Sequence, residues 1–216
     1  MHHLTKFLPF VLAVSLLHVS CENEPEPEPE PDLGQCGTLS SEITDPRDGQ
    51  TYQILEIGTQ CWFAENLNYA SDNSWCYEDK EGNCNIYGRL YTWEAAVNAC
   101  PTGWHLPTND EWGFLAESLG GAEIAGGQMK SVDSNRWEAP NTGATNESGF
   151  TGLPGGYRGS GGSYHNMGRN TYFWTNTSNS TNANYGINRG LSFTLPILSE
   201  PSTDKRFGLA VRCVRD

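Results

Sequence analysis

The chain has 216 residues and carries 13 Lys and Arg against 26 Asp and Glu, a net charge of −13 at pH 7. Residues 1–32 hold one of the basic and six of the acidic residues, so 12 basic and 20 acidic residues remain in 33–216, a net charge of −8. This balance argues against a nucleic-acid partner, because nucleic acids are bound through basic patches.

The first twenty residues have the features of a bacterial lipoprotein signal peptide. Lys6 precedes an apolar run from Phe7 to Leu17, which is too short to span a bilayer, and Cys21 follows Val-Ser as in a lipobox. His18 stands where a lipobox usually has Leu, and an ordinary signal peptide cleaved elsewhere is the alternative. We predict a signal peptide at 1–20, lipidation of Cys21 and anchoring to the outer membrane through that lipid.

Residues 22–32, ENEPEPEPEPD, alternate proline with acidic residues and contain nothing that could form a core. We expect 21–32 to be the lipidated cysteine and an extended tether of about 3.1 Å per residue. Acidic residues directly after a lipid-bearing cysteine also resemble the surface-export signal of Bacteroidetes lipoproteins, which implies display at the cell surface. The remaining residues 33–216 contain no second linker and no repeat, and they suffice for a single domain.

Three local patterns predict the first half of this domain. Thr51 to Leu67 alternates apolar and polar residues around Gly-Thr, which is typical of a β-hairpin. Tyr91 to Cys100 predicts a short helix with Thr92 as N-cap. Thr108 followed by Glu111 forms a capping box before Trp112, Leu115, Ala116 and Leu119, so a second amphipathic helix follows and ends at Gly120.

The second half of the domain predicts strands after a long loop. Residues 143–168 are dominated by Gly, Ser, Asn and Tyr, which indicates an irregular glycine-rich loop. Strands are expected at 171–177, at 185–193 and in the C-terminal RFGLAVRCVRD. In that last strand one face would hold Phe207, Leu209, Val211 and Cys213. Helices early and strands late predict an α+β fold.

Six cysteines remain once Cys21 is acylated, and an even number in an exported chain favours three disulfides. They are Cys36, Cys61, Cys76, Cys84, Cys100 and Cys213. The spacing Cys-x-x-Cys is absent, and the domain holds two histidines, His105 and His165. We therefore predict neither a metal site nor a cofactor.

Fifteen pairings of six cysteines are possible, and two bridges can be argued from the predicted elements. Cys76 and Cys84 flank YEDKEGN, whose Glu-Gly-Asn centre is typical of a tight turn. Cys100 ends a predicted helix and Cys213 lies in the last strand, so a bridge between them would join the two ends of the domain. Cys36 with Cys61 then follows by elimination.

Four separated blocks of the chain closely resemble the Fibrobacter succinogenes major paralogous domain, a module of Bacteroidetes and Fibrobacteres lipoproteins. They are DPRDGQTYQILEIGTQCWFAENLNYA, CYEDKEGNCNIYGRLYTWEAAVNACPTGWHLPTNDEW, GFTGLPGGYR and FGLAVRCVRD. The resemblance covers about residues 40–216. It identifies the family and implies no activity.

A weaker resemblance concerns HLPTNDEW and VRCV, which are similar to segments of the sulfatase-modifying, formylglycine-generating family. It implies a C-type-lectin-like fold with two helices, a small twisted antiparallel sheet that joins the N- and C-terminal strands, and a long loop region. A Cys100–Cys213 bridge is consistent with such a core. The enzymes of that family bind copper through two nearby thiols close to the C-terminus, and here only Cys213 lies in the last hundred residues. Their activity is therefore not carried over.

Calcium binding is not predicted either. Trp174 to Asn179, WTNTSN, and Glu200 to Ser202, EPS, only partly match the calcium motifs of C-type lectins. The first lacks a carboxylate, whereas calcium requires several oxygen ligands that include carboxylates.

The function we predict is non-catalytic binding of a glycan or a protein at the cell surface. Aromatic residues and arginine on loops are typical of recognition surfaces, and a sugar ring could stack on Tyr or Trp. The candidates in or beside the glycine-rich region are Tyr157, Arg158, Tyr164, His165, Tyr172 and Trp174. Each of them could instead fill the core, because glycine contributes no side chain to packing.

Two other readings remain open. The domain could be a structural or tip subunit of an envelope assembly, with a fixed neighbour as its partner. It could also be an enzyme, but Asp110 and Glu111 occupy a first helical turn, where acidic residues favour the helix dipole. His105 has no recognisable nucleophile motif beside it, so we interpret it as a hydrogen-bonded structural residue.

Overall fold

Three β-sheets and four short α-helices make up the part of the chain that the computed structural model describes, namely Met1, Cys36 and residues 41–133 and 135–216. All these elements lie in the unit Asp32–Asp216. The predicted signal peptide, Cys21 and the tether lie outside the described residues. The α+β class predicted from the sequence is confirmed.

The strands are β1 (Glu42–Thr44), β2 (Thr51–Ile57), β3 (Gln60–Phe63), β4 (Ser74–Trp75), β5 (Leu90–Tyr91), β6 (Trp104–His105), β7 (Gly155–Arg158), β8 (Tyr164–Met167), β9 (Asn170–Ser178), β10 (Tyr185–Ser192), β11 (Leu195–Ser199), β12 (Ser202–Asp204) and β13 (Val214–Arg215). The helices are α1 (Glu81–Tyr87), α2 (Trp93–Val97), α3 (Asn109–Ser118) and α4 (Ala122–Met129), with a 3-10 turn at Tyr77–Asp79.

The first sheet has the order β1-β2-β3-β13-β6 and joins the two ends of the domain. The predicted hairpin forms its centre, with Leu55 opposite Trp62 and Gly58 at a φ of 62° in the turn. β13 pairs with β3 through Val214 and Trp62, so the last strand lies beside one of the first. The pair β4-β5 forms a separate small sheet.

The second sheet has the order β11-β10-β9-β7-β8, with β12 on part of β10. The strands expected at 171–177 and 185–193 are confirmed as β9 and β10. The prediction of an irregular loop over 143–168 is wrong at its C-terminal end, where β7 and β8 form a hairpin. Gly156 has a φ of 67°, and a β-carbon at this position would clash with the His165 carbonyl oxygen, so no side chain fits. The glycines therefore permit the hairpin instead of preventing regular structure.

Both predicted helices form, with the predicted N-caps, and α3 ends one residue earlier than expected, with Leu119 as its C-cap in place of Gly120. The Thr92 hydroxyl accepts a hydrogen bond from the Ala95 N–H, and Thr108 and Glu111 form the capping box of α3. The expected number of two helices is wrong, because α1 and α4 also form. The sequence did not predict α4, because Gly126 and Gly127 disfavour a helix. Both glycines are needed there, since a β-carbon would clash with the backbone of Ile197 at Gly126 and of Gly143 at Gly127.

Two hydrophobic clusters form the core, and the C-terminal segment runs between them. Leu209, Val211 and Cys213 belong to one cluster, whereas Ala210 and Val214 belong to the other. Phe207 packs against the first of these clusters while partly buried, so the predicted shared face is confirmed. The continuous strand expected for this segment is wrong, because only Val214–Arg215 form a strand and residues 208–210 make isolated bridges. The opposite face is buried as well. Because both faces are covered by the core, residues 208–214 are buried.

Three disulfides cross-link the domain, as predicted: Cys36–Cys61, Cys76–Cys84 and Cys100–Cys213, with Cα–Cα distances of 5.1, 4.9 and 5.9 Å. The third joins the segment after α2 to Cys213, directly before β13. A buried cation adds a non-covalent link, because the Lys130 ammonium donates hydrogen bonds to the carbonyl oxygens of Thr142, Ser192 and Leu195 at 2.7, 2.9 and 3.0 Å. Burial lowers the pKa of Lys130 to about 8.

Candidate ligand-binding site

The β7–β8 hairpin sorts the predicted binding residues onto two faces. Tyr157 pairs with His165 and Arg158 pairs with Tyr164 in the antiparallel register. Because neighbouring residues of a strand point to opposite faces, Tyr157 and His165 lie on one side of the hairpin, and Arg158 and Tyr164 lie on the other.

An aromatic cleft of about 240 Å³ opens beside the first of these faces. Its lining consists of Tyr157, Asn166, Tyr172, Pro201, Thr203, Phe207 and Leu209. The Tyr157 ring lies 5.8 Å from the Phe207 ring at an angle of 23°, and 5.8 Å from the Tyr172 ring at 77°. Three aromatic rings thus form the main walls of the aromatic cleft.

The third ring reaches the cleft because the C-terminal segment pairs with β7. Gly208 and Arg158 exchange backbone hydrogen bonds of 2.8 and 2.9 Å, which place Phe207 next to Tyr157. The backbone ahead of Phe207 is fixed by Arg206, whose guanidinium donates to the Asp204 carboxylate at 2.6 and 3.0 Å. The hydrogen bonds from Arg206 lower the pKa of Asp204 to about 2.

A buried residue of β10 fixes the opposite wall. The Asn188 side chain donates to the Thr203 hydroxyl at 2.9 Å, and the Asn188 N–H donates to the Pro201 carbonyl at 2.9 Å. Asn188 is fully buried, so it acts on the cleft by positioning these two residues. The sequence analysis missed Asn188, Pro201 and Thr203, because only the fold places β10 and the chain after β11 in one sheet with β9 and β7.

The aromatic cleft carries no acidic or basic side chain among its lining residues. Its polar groups are the phenol groups, the Asn166 amide and the Thr203 hydroxyl. Burial raises the pKa of Tyr172, so its phenol stays neutral at physiological pH. Aromatic walls with a few neutral hydrogen-bonding groups suit an uncharged ring with polar substituents. The volume is below the roughly 300 Å³ of sites for drug-sized ligands, so a single ring is the appropriate size.

His165 is exposed, and its ring lies 5.2 Å from that of Tyr157 at the edge of this face. Arg158 and Tyr164 do not line the cleft. The Arg158 guanidinium lies 3.9 Å from the centre of the Trp75 ring, and the Tyr164 hydroxyl donates to the Asp79 carboxylate at 2.5 Å. Burial, followed by the bond to Asp79, raises the pKa of Tyr164 to about 12.

Trp174 is a core residue, which corrects its inclusion among the candidate ligand contacts. Its side chain is fully buried, and its indole N–H donates to the Tyr91 carbonyl at 2.8 Å. Trp174 and Tyr172 lie on the same face of β9, but only Tyr172 borders the cleft.

His105 is held between two carboxylates. Its Nδ1 lies 2.6 Å from Asp216 Oδ1, and its Nε2 lies 2.8 Å from Glu111 Oε1. The other oxygen of Glu111 accepts hydrogen bonds from the Thr108 N–H and hydroxyl. Both ring nitrogens are therefore occupied, in agreement with a hydrogen-bonded structural role. An adjacent cavity of about 300 Å³ is lined by Glu111 and Phe114, and His105 is not part of its lining.

Within 41–133, 135–216 and Cys36, His, Cys, Asp and Glu side chains nowhere gather in a group of three or more that could hold a metal ion. The helices of these residues are too short or too polar to cross a bilayer.

A comparison with protein families matches residues 55–215 to the Fibrobacter succinogenes major domain. No curated protein and no solved structure matches the chain. The matched range includes the aromatic cleft and the hairpin that supports it.

Proposed function

Since the chain belongs to the Fibrobacter succinogenes major domain family, which by itself names no activity, we propose a function from the geometry of the site. The protein is a lipid-anchored surface protein whose domain binds a glycan without catalysis, by holding one sugar ring in the aromatic cleft. The observation that carries this proposal is the meeting of Tyr157, Tyr172 and Phe207 around a concave, uncharged space.

The cleft supports a sugar because aromatic faces pack against the C–H groups of a ring while neutral polar groups bind its hydroxyls. Asn166 and Thr203 supply an amide and a hydroxyl at the rim of the rings. The absence of charge in this lining favours a neutral sugar over an acidic one. A protein partner would instead insert one side chain into the same cleft, which is an outcome that the experiment below can distinguish.

The fold that we propose for this domain is C-type-lectin-like. Three features support it: the sheet that joins β3 to β13, the Cys100–Cys213 bridge, and the long excursion from α4 to β9. Superposition of a crystal structure on a C-type lectin domain tests this assignment.

Binding is tested on a glycan array and then by calorimetry with the purified protein. Tyr172→Ala removes one wall of the cleft, and we expect it to weaken binding at least about tenfold, the effect of losing a central aromatic contact. Tyr164→Ala is the matched control, because it truncates the same residue type on the face of the β7–β8 hairpin that does not line the cleft. Thermal melting of both variants verifies that they are folded.

Equal binding by the wild type and Tyr172→Ala contradicts this proposal. A partner protein that still binds after its glycans have been removed, and whose binding is lost in Tyr172→Ala, would also contradict it. The cleft would then hold a protein side chain and not a sugar.

Anchoring at Cys21 is tested separately. Mass spectrometry of the mature N-terminus should find an acylated Cys21, and Cys21→Ser should release the protein from the membrane fraction. Digestion of the protein by protease added to intact cells would support display on the outer face, whereas protection would contradict it.

A further inference from the structure

A second, polar pocket of about 240 Å³ lies between the start of β2, the segment after β3, α1 and the loop that precedes β7. Its hydrogen-bonding lining includes Gln50, Asn66, Asn68, Asn85, Thr151 and Arg212. The polar pocket shares no lining residue with the aromatic cleft.

Arg212 supplies a buried positive charge at this pocket, with 1% of its surface exposed. Its Nε and Nη2 donate to Asn66 Oδ1 at 3.1 and 2.9 Å, and its Nη1 donates to the carbonyl oxygens of Phe63 and Phe150 at 3.1 and 2.7 Å. These bonds use four of the five guanidinium N–H groups, and every acceptor is a neutral oxygen. The second hydrogen of Nη2 remains for a further acceptor.

A buried cation that is hydrogen-bonded only to neutral groups is costly, because proteins normally pair buried charges directly with opposite ones. The Phe150 ring, 3.9 Å from the guanidinium carbon, provides a partial compensation. Burial still lowers the pKa of Arg212 to about 9. The exposed Glu65 carboxylate also lines the pocket and raises the pKa of Arg212 through its charge, without a hydrogen bond to the guanidinium. A ligand carboxylate hydrogen-bonded to Nη2 would compensate the buried charge more fully than this solvated carboxylate.

Asn68 supplies an unused acceptor in the same pocket. Its backbone N–H donates to the Tyr52 hydroxyl, and its backbone carbonyl accepts from Gln50. Its side-chain Oδ1 is buried and has no hydrogen-bond donor in the structure. A buried unsatisfied acceptor indicates a place where a ligand hydroxyl or N–H can bind.

We propose that the polar pocket binds a carboxylate-bearing sugar, whose carboxylate accepts a hydrogen bond from Arg212 Nη2 and whose ring hydroxyl donates to Asn68 Oδ1. The Asn85 amide and the Gln50 side-chain oxygen suit further ring hydroxyls. The Gln50 amino group already donates to Asp48 and to the Asn68 carbonyl, and the Thr151 hydroxyl already donates to the Gly149 carbonyl. These amides favour a sugar, because ring hydroxyls can both donate and accept hydrogen bonds. The inference does not depend on the aromatic cleft, so either site can fail alone.

Glu65 gives this proposal a sharp electrostatic test. It lines the same pocket, is exposed, and accepts a hydrogen bond from the Gln53 N–H at 2.9 Å. Its charge repels a bound carboxylate and leaves a neutral sugar unaffected. Glu65→Gln should therefore tighten binding of an acidic sugar about two- to fivefold, the range expected for one exposed charge.

The experiment titrates the purified full chain with D-galacturonate, D-galactose and acetate, by calorimetry and by chemical shifts of the Asn side-chain amides. We expect D-galacturonate to bind more tightly than either of the others, because only this probe carries both the carboxylate and the ring hydroxyls. Asn68→Ala should weaken its binding about tenfold or more. The folded state should be retained, because the Asn68 side chain makes no hydrogen bond in the structure. Tyr164→Ala serves as the control, because Tyr164 lines neither the polar pocket nor the aromatic cleft.

Three results would overturn the proposal. D-Galactose binding as tightly as D-galacturonate, with the same loss of affinity in Asn68→Ala, would remove the role of the carboxylate. Acetate binding equally tightly would remove the role of the sugar. A D-galacturonate affinity that neither Asn68→Ala nor Glu65→Gln changes would place the ligand elsewhere on the protein.

Discussion

The Cys100–Cys213 bridge should contribute more stability than either of the other disulfides, because it closes by far the longest loop. It spans 113 residues, whereas Cys76–Cys84 spans 8. Both remaining bridges precede Cys100 in the chain, so no other cross-link shortens this loop in the unfolded state. The comparison of the two bridges therefore isolates loop length.

The chain-entropy treatment gives the expected magnitudes. The loss of unfolded-state entropy grows with the logarithm of loop length, so the long bridge should contribute about 4.8 kcal/mol and the short one about 2.5 kcal/mol at 25 °C. The double variant Cys100→Ala/Cys213→Ala should thus unfold about 10–20 °C earlier than the wild type. Cys76→Ala/Cys84→Ala should show about half the loss of free energy.

Equilibrium urea unfolding measures both variants under identical conditions, with reversibility verified by refolding. The slope of the free energy against urea should increase slightly in each variant, since an unfolded chain without a cross-link exposes more surface. Equal losses of free energy in the two variants would refute the loop-length argument. A reduced Cys100 or Cys213 in protein isolated from its native membrane would refute the premise that the bridge forms.

Three further variants test the roles assigned to single residues. Lys130→Met should lower the free energy of unfolding by roughly 3 kcal/mol or more, because three buried carbonyl oxygens lose their donor. Between pH 8 and 10.5, Lys130 binds fewer protons in the native protein than in the unfolded chain. The free energy of unfolding of the wild type should therefore rise with pH in this window, relative to that of Lys130→Met. Trp174→Ala should cost about 3–5 kcal/mol in urea unfolding, as expected for a core tryptophan; an unchanged midpoint would contradict its burial. Thr108→Ala should cost about 1 kcal/mol by thermal melting through loss of the α3 cap, while no loss would mean that the capping box contributes nothing.

Much of the local structure follows from the sequence. The β2–β3 hairpin and the α3 capping box depend on residues within a few positions of one another. A short stretch of sequence therefore contains all the residues that are needed to predict them. The helix α4 could not be predicted in this way. Its two glycines disfavour a helix locally, and only the close approach of Ile197 and Gly143 explains their presence.

The candidate site divides in the same way. The sequence indicates that the region around β7 to β9 is rich in aromatic residues, because their number and proximity along the chain are visible there. It does not indicate which of them line a surface. Tyr172 and Trp174 share one face of β9, yet Trp174 is covered and donates to the Tyr91 carbonyl, while Tyr172 meets Phe207 across the aromatic cleft.

The sequence by itself determined the family, the number of disulfide cysteines and the capped helices, since each of these depends on residue types at fixed spacings. The tertiary structure decided which aromatic residues are exposed and how Arg212 is held. Both depend on contacts between segments far apart in the chain, such as the pairing of Gly208 with Arg158 and the hydrogen bonds from Arg212 to Asn66. A side chain is buried when another segment packs over it, and the spacing of residues along the chain does not indicate which segment that will be.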